Sequence, residues 1–519
     1  MTHSADTSLR TGMVLWLCVF LCYALSTLTF LVGSHIGCWI FPVAFIIAAC
    51  CLKINFKGLI ASVVVIVLSI IVGGFFNDYS YDGNYYHQEI ITRLCAGWNP
   101  VYDGLEGVDV VLWVKHYAKA LEIVAADIVA LTGFIETGKA VNIILLSVCG
   151  LLAYSALSER FSPRTSAALS LIAMANPVCL SQMFTFYVDY ANYCYLILTI
   201  IFSLRISRSV SWLNILGLCS VIIMAIGTKF NIFFMEGVYL AAIILWTLII
   251  RKKHVALVLA LSGVASLIVG LLLFGYHPYI TNLHTAGSPL YPLLGSDAVD
   301  IMTKNTIALY EGHNRFINFI LSLITPSLPT YDARIMGFGP LMSILLIAAF
   351  IVFIINKKTP SVVWYVSLVV LASCFFFTES WWARYNCQLW LIPLMAAILL
   401  ANSNKKWFRI YGVLVGLNAL VCFAPGLANA ARCTLSREII YSSIDESEVK
   451  VYNTQPQVNR HFAERDIEVI ETRKAPGVYF FGKGNDYFPQ VIVSDEELAD
   501  MQRKANRYPS FLNLINCSE

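Results

Sequence analysis

Charge is what this sequence has least of. Lys, Arg, Asp and Glu make up 13% of its 519 residues, whereas 58% are hydrophobic; a soluble domain usually carries about 25% charged residues. A water-soluble fold of this length has no interior large enough to hide so much apolar surface, so lipid is the expected solvent for most of the chain. Other signatures are missing too. No CxxC pair or zinc-ligand spacing occurs. No Gly-rich phosphate loop is visible, so no nucleotide cofactor is expected. No repeat or low-complexity tract interrupts the chain, and the formal net charge of +3 gives no reason to expect nucleic acid as a partner. The polar start, residues 1–12, leads into an apolar run from Met13 with no small-residue cleavage signal behind it. That run reads as a retained helix rather than a signal peptide.

What the sequence has is apolar runs. Segments of about 17 to 22 residues fall at 13–32, 38–52, 57–75, 138–157, 165–182, 190–206, 211–227, 231–250, 255–275, 339–355, 361–377, 387–401 and 408–425, which predicts about thirteen transmembrane helices. The turns between them alternate in kind. Lys53 to Lys57, Glu159 to Arg164, Arg205 to Arg208, Arg251 to His254, Lys357-Lys358 and Lys405 to Arg409 are short and basic. The others are nearly free of Lys and Arg close to the membrane. Under the positive-inside rule the basic turns and the N-terminus are cytoplasmic, and the C-terminus lies on the outer side.

The outer side then carries a loop at 76–137, a second at 276–338, and a polar tail. The expected organisation is a membrane module over 1–426 and a small extracytoplasmic α/β domain over 427–519. In the first loop, Leu121, Val124, Ile128 and Leu131 share one helical face, which predicts a helix lying in the membrane interface. The tail offers strand-like runs at 449–452, 477–481 and 491–493, then a helix opened by the capping box Ser494-Asp495-Glu496-Glu497. Most of the fifteen cysteines, such as Cys18, Cys22, Cys149 and Cys219, sit inside apolar runs as small hydrophobes. Cys433 and Cys517 fall in the tail, where they either pair or remain free thiols.

Against this apolar background the outer-side polar residues stand out. Asn77 to Glu89 holds Asp78, Asp82, His87 and four tyrosines, the makings of a general-base site at the membrane surface or of a solvated loop with belt tyrosines. Asp189, Lys229 and Arg384 each sit in a short outer turn between apolar spans. A lone one reads equally well as a snorkelling or paired anchor. Together, carboxylates, a Lys and an Arg at one face are what a site needs to grip a lipid phosphate and deprotonate an acceptor. The second loop adds His277, Tyr279, Asn282 and His284 as donors to phosphate or sugar hydroxyls, with Pro278, Pro289 and Pro292 stiffening the segment.

The order of these segments resembles the GT-C superfamily of bacterial multi-span glycosyltransferases that use polyprenyl-phosphate-linked sugars. The resemblance runs from about residue 75 to 400. It rests on Asp82 followed by Tyr86-His87, Gly97-Trp98-Asn99-Pro100, His116-Tyr117-Ala118-Lys119, Tyr187-Val188-Asp189 and Gly227-Thr228-Lys229. It continues through Pro278 to Asn282, Pro289 to Pro292, and Trp382 to Tyr385. Each motif is short, and their shared order and sidedness carry the likeness. More than one span precedes the Asp loop, unlike many members, and Asp78 competes with Asp82 for the base role. The resemblance implies an all-α polytopic fold with interfacial helices around an outer-leaflet cavity in a bacterial inner membrane. It also implies an inverting transfer with Asp82 as base. His87, His116, Lys119, Asp189, Lys229, Tyr279, Asn282, His284, Arg384 and Tyr385 would bind substrate or lipid phosphate. The partners would be a polyprenyl-phosphate sugar donor, a glycan or lipid-linked acceptor, and membrane lipids. A divalent cation shared by Asp82 and Asp189 is left open. The rivals are a lipid-linked sugar flippase or transporter, which predicts internal repeats, and a polysaccharide polymerase or O-antigen ligase.

Overall fold

The computed structural model describes residues 3–509, apart from 106–110, 297, 300–307, 326–329, 333–336, 357, 445–446, 474, 476 and 481–488. Lys357, Phe481 and Cys517, each part of an expectation above, lie outside the described residues.

Seven helices are long and apolar enough to cross a membrane: Ser4–Leu31, Phe56–Phe75, Ile135–Leu157, Tyr190–Arg208, Phe230–Ile249, Lys253–Phe274 and Lys405–Tyr441. Six further apolar helices of 10–17 residues accompany them. The chain is thus mostly helical, and among the described residues seven helices are candidate membrane spans by length and composition, with the expected thirteen neither reached nor excluded by that criterion. The apolar run 165–182 shows where composition and backbone part company. It breaks into Pro163–Met174 and Pro177–Ser181. Pro177 has no N–H to continue the first helix, and the Asn176 side chain instead caps the second by accepting from Val178 N and Cys179 N.

The first helix lies inside the bundle, packed on Ile40–Cys51, Phe56–Phe75 and Ala140–Leu157. With lipid outside, apolar burial cannot order the helices, and interhelical hydrogen bonds help to set their register. Trp16 Nε1 donates to Ser220 Oγ at 2.7 Å, and Ser26 Oγ to Asp127 Oδ1 at 2.8 Å. Outer helices turn apolar side chains outward, as Leu257, Leu261, Val264 and Ile268 do at helical spacing.

At one end of the bundle, helices start under side-chain caps from Asn55, Ser162, Ser211 and Asn404. These caps lie in or beside the basic turns. At the other end Asp189 and Lys229 occupy helix N-cap positions without capping anything.

Two expectations about boundaries need correction. The 117–131 segment forms a helix, Ala120–Thr132, but it is not interfacial. Ala120 to Val129 are buried all round, including Glu122 and Asp127. Its polar residues face partners inside the bundle, so amphipathic spacing marks buried pairing here, not a water-facing side. The division at 426 falls inside one helix, Lys405–Tyr441. Apolarity stops near Pro425, but helical hydrogen bonding does not. At 1.5 Å per residue the helix is roughly 55 Å long, and it overshoots a bilayer core of about 30 Å.

The overshooting end seeds the tail domain. Its Ile439, Ile440 and Tyr441 share a core with Val449, Val451, Phe462, Phe480 and Met501. Four strands, β1 (Glu448–Tyr452), β2 (Glu468–Glu471), β3 (Gly477–Tyr479) and β4 (Gln490–Ile492), form a sheet in the order β2-β1-β4-β3. β1 and β2 are parallel, with Val449 opposite Val469, and β4 is antiparallel to both β1 and β3. The helix Pro456–Ala463 makes the crossover between the parallel pair. Ser494 and Glu497 form the expected capping box.

Candidate active site

The uncapped ends converge. Lys229 Nζ lies 2.7 Å from Asp189 Oδ1. Arg384, in the turn before the helix Leu391–Ser403, places Nη1 3.1 Å from Asp332 Oδ1 and 3.9 Å from both Asp82 Oδ2 and Asp189 Oδ2. Five charged groups from five separate segments therefore share one small volume. The Asp82 side chain is 27% exposed, against 1% for Asp189 and 9% for Arg384, so Asp82 is the carboxylate that solvent reaches best. Burial works to raise the Asp189 pKa, but Lys229 and Arg384 outweigh it and hold the group below its ordinary value. Arg384 Nε and Asp189 Oδ2 are buried without a hydrogen-bond partner among the described residues, and Arg384 Nη1 has only its ion-pair contacts. Aromatic rings wall the cluster. The Arg384 guanidinium carbon is 4.9 Å from the Trp382 ring centroid, 5.4 Å from Tyr385 and 5.5 Å from Tyr187.

Asp78 serves a different purpose. It is fully buried, and its carboxylate accepts from Ser80 N at 2.7 Å and Phe186 N at 2.9 Å. It thereby folds its own loop and ties that loop to the turn carrying Asp189. Gly83 is required at the fold-back, because a Cβ there would collide with Asp78 Oδ2 and Ser80 Oγ. Asp82 sits at the apex, at the N-cap of a short π-helix, Gly83–His87. His87 has a partner outside the cluster. Its Nδ1 is 2.7 Å from Glu122 Oε1 on the buried helix Ala120–Thr132.

His116, Lys119 and Asn282 gather with His277 in a second group. Lys119 Nζ meets His277 Nε2 and donates to Tyr117 O at 2.6 Å, and His116 Nδ1 lies 2.8 Å from Asn282 Oδ1. Burial pushes the Lys119 ammonium down to about 7, and burial followed by Lys119 itself depresses His277 well below its ordinary value. Tyr117 and Phe230, neighbours of Lys119 and Lys229 in sequence, pack their rings at a tilt with centroids 5.4 Å apart.

Three expected ligands have other work. Tyr279 is buried and donates to Ile226 O at 2.6 Å, bracing two helices. Asn282 Nδ2 donates to His116 O and Tyr291 O, both at 2.9 Å. His284 is exposed on the outer side of the helix Thr281–Ala286 and joins neither group among the described residues. Asn99, in the Gly-Trp-Asn-Pro stretch, ties its loop to the end of the first helix through Phe30 O and Ser34 O.

A divalent cation between Asp82 and Asp189 does not fit. The Arg384 guanidinium already lies between them, and no group of three His, Cys, Asp or Glu arranged for a metal occurs among the described residues. Cys433 lies against the Asp78 carbonyl, with Sγ 3.4 Å from that oxygen. Spacing did not expose Asp332, Glu122, Glu136, Arg437 or His461. Asp332, Glu122 and Glu136 had a visible signal, as carboxylates in the outer loops. Compared with known proteins, the chain matches no family model and no curated protein at a significant level.

Proposed function

We propose that the chain is an inverting glycosyltransferase of the GT-C type. It would move a sugar from a polyprenyl-phosphate donor to a lipid-linked glycan or other cell-envelope acceptor at the outer face of a bacterial inner membrane. The observation that carries this reading is the buried Arg384, whose Nε lacks a hydrogen-bond partner among the described residues and whose Nη1 has ion-pair contacts only, while the most accessible carboxylate of the cluster, Asp82, stands 3.9 Å away. Unfilled guanidinium donors suit a phosphate. The Trp and Tyr walls suit a sugar face, and the apolar helices suit a prenyl chain.

In this scheme Asp82 accepts the proton of the acceptor hydroxyl as its oxygen bonds to the anomeric carbon. The bond from that carbon to the phosphate oxygen breaks, and the electron pair leaves with the phosphate. Arg384 and Lys229 stabilise the developing charge. The phosphate displaces Asp332 from beside Arg384, while Asp189 keeps Lys229 oriented.

The test uses purified protein in detergent with a radiolabelled polyprenyl-phosphate sugar and a lipid-linked acceptor. Asp82→Asn is expected to lose transfer by about 10²-fold or more with donor binding kept. Normal transfer by Asp82→Asn would refute the base assignment, and donor translocation without transfer by the parent protein would favour a flippase.

A further inference from the structure

The tail domain grips the loop that carries Asp82. Arg437, fully buried on the overshooting helix, reaches into that loop with both terminal nitrogens. Nη2 donates to Asp78 O at 3.1 Å and Asn84 Oδ1 at 3.0 Å, and Nη1 to Asn77 Oδ1 at 3.1 Å and Glu136 Oε1 at 2.9 Å. One residue thus fastens both shoulders of the turn whose apex is Asp82. Thr434 Oγ1, a turn earlier on the same helix, accepts from Asn77 N at 2.8 Å.

A second set of contacts comes from the helix Pro456–Ala463, which packs on Gln88–Cys95. Gln457 Nε2 donates to Asn84 O at 2.9 Å, and His461 Nε2 lies 2.8 Å from Gln88 Oε1. Gln88 Nε2 in turn donates to Asn84 Oδ1 at 2.9 Å, closing a ring of side-chain amides. Just past this helix, Glu464 Oε1 accepts from Ile135 N at 2.7 Å, and Arg460 Nη2 donates to Gly133 O at 3.1 Å. Both ends of the 76–139 region are therefore held from outside the bundle.

Among the described residues Asp82 itself makes no such bond. Its position follows from what fixes Asp78, Ser80 and Asn84. The turn is short and its polar groups are buried, so their hydrogen-bond needs must be met from somewhere. The tail domain meets a large share of them. We infer that this domain is a positioning unit for the candidate active site, in which Arg437, Gln457 and His461 hold the Asp78–Gln88 loop so that Asp82 faces Arg384. This inference rests on the functional reading above for its consequence, but its structural half stands without it.

The experiment compares the full-length protein with the double variant Gln457→Met, His461→Phe, and separately with Arg437→Lys and Arg437→Met, all in detergent. The double variant leaves Glu136 with its Arg437 and Lys139 partners, so its core network is spared. Amide hydrogen exchange is read over residues 77–90 and over the rest of the chain, alongside sugar transfer. The expected result is exchange at least tenfold faster in 77–90 than in the parent, with the transmembrane helices unchanged. Transfer should show kcat down about tenfold and donor KM within about twofold, with Arg437→Lys retaining more of both properties than Arg437→Met. Unchanged exchange in 77–90 would overturn the inference, as would acceleration spread evenly through the chain. If the parent transfers no sugar, the functional reading fails, and the exchange result still decides whether the domain orders the loop.

Discussion

Two aspartates four residues apart do opposite jobs, and their surroundings decide which does which. Asp78 spends its oxygens on backbone amides inside the protein, whereas Asp82 keeps solvent access beside a cation. Burial pushes Asp78 up to about 6 from 3.8, so in the folded state it holds its proton to higher pH than in the unfolded chain. Stability therefore falls as pH rises from about 4 through about 6, by about 3 kcal/mol in the limit. Thermal unfolding of the parent should show that decline across this window, and the decline should be smaller in Asp78→Asn. An identical pH slope in the two proteins would show that Asp78 is not its source. Asp332 supports a kinetic prediction. It occupies Arg384 at 3.1 Å, where a donor phosphate would bind, so Asp332→Asn should lower donor KM several-fold, measured by transfer at varied donor concentration. An unchanged or raised KM would mean that the two do not compete. Asp82, Asp189, Lys229 and Arg384 were legible in the sequence because charge is rare in this chain and each interrupts an apolar run. Glu122, Arg437 and His461 were not, because ordinary spacing carries no sign of who is buried against whom.

At the scale of elements, polar residues placed where lipid or core would exclude them account for most of the departures from simple pattern. The Ala120–Thr132 helix looked amphipathic because Lys119, Glu122 and Asp127 break its apolar run. All three are buried, paired with His277, His87 and Ser26. Period reading sees polarity but cannot tell water from a buried partner. The break at Asn176-Pro177 was hidden for the opposite reason: an apolar run looks continuous to a hydropathy window whatever its backbone does. Asn176 caps one helix and also donates to Cys387 O at 2.9 Å, tying the break to the turn after Arg384. Asn176→Ala should lower stability by about 1–2 kcal/mol, read as a fall in unfolding temperature, and should shift the Arg384 turn. A loss no greater than that of Asn404→Ala, an Asn cap whose side chain bonds only the Lys406 and Trp407 amides among the described residues, would show that the link to Cys387 contributes nothing. Gly83→Ala carries a larger expected loss, because its added Cβ meets the Asp78 carboxylate rather than a yielding side chain. Overpacking of this kind costs about 1–3 kcal/mol, and hydrogen exchange should show the damage first in 77–90.

The whole molecule has two unlike ends, and the difference bears on which way it sits. One end carries the capped, basic helix starts around Lys57, Arg164, Lys405 and Lys406, where no described carboxylate cluster gathers. The other gathers Asp82, Asp189, Lys229, Asp332 and Arg384 into mutual pairs and supports the sheet domain on the end of the Lys405–Tyr441 helix. Charges that are paired and buried exert little pull on the insertion machinery, while unpaired Lys and Arg in short turns set orientation. On that ground we propose that the free cations decide, with the capped end in the cytoplasm and the sheet domain outside. A helix roughly 55 Å long is long enough to hold the domain clear of the lipid in that arrangement. Alkaline phosphatase fused after residue 509 should be active in cells, because it folds only outside the cytoplasm, and the same enzyme fused after Lys252 should be inactive. The reverse pattern would put the Asp82 cluster on the cytoplasmic side. An outer-leaflet polyprenyl-phosphate donor would then be out of reach, and the proposed reaction would need a donor presented from within.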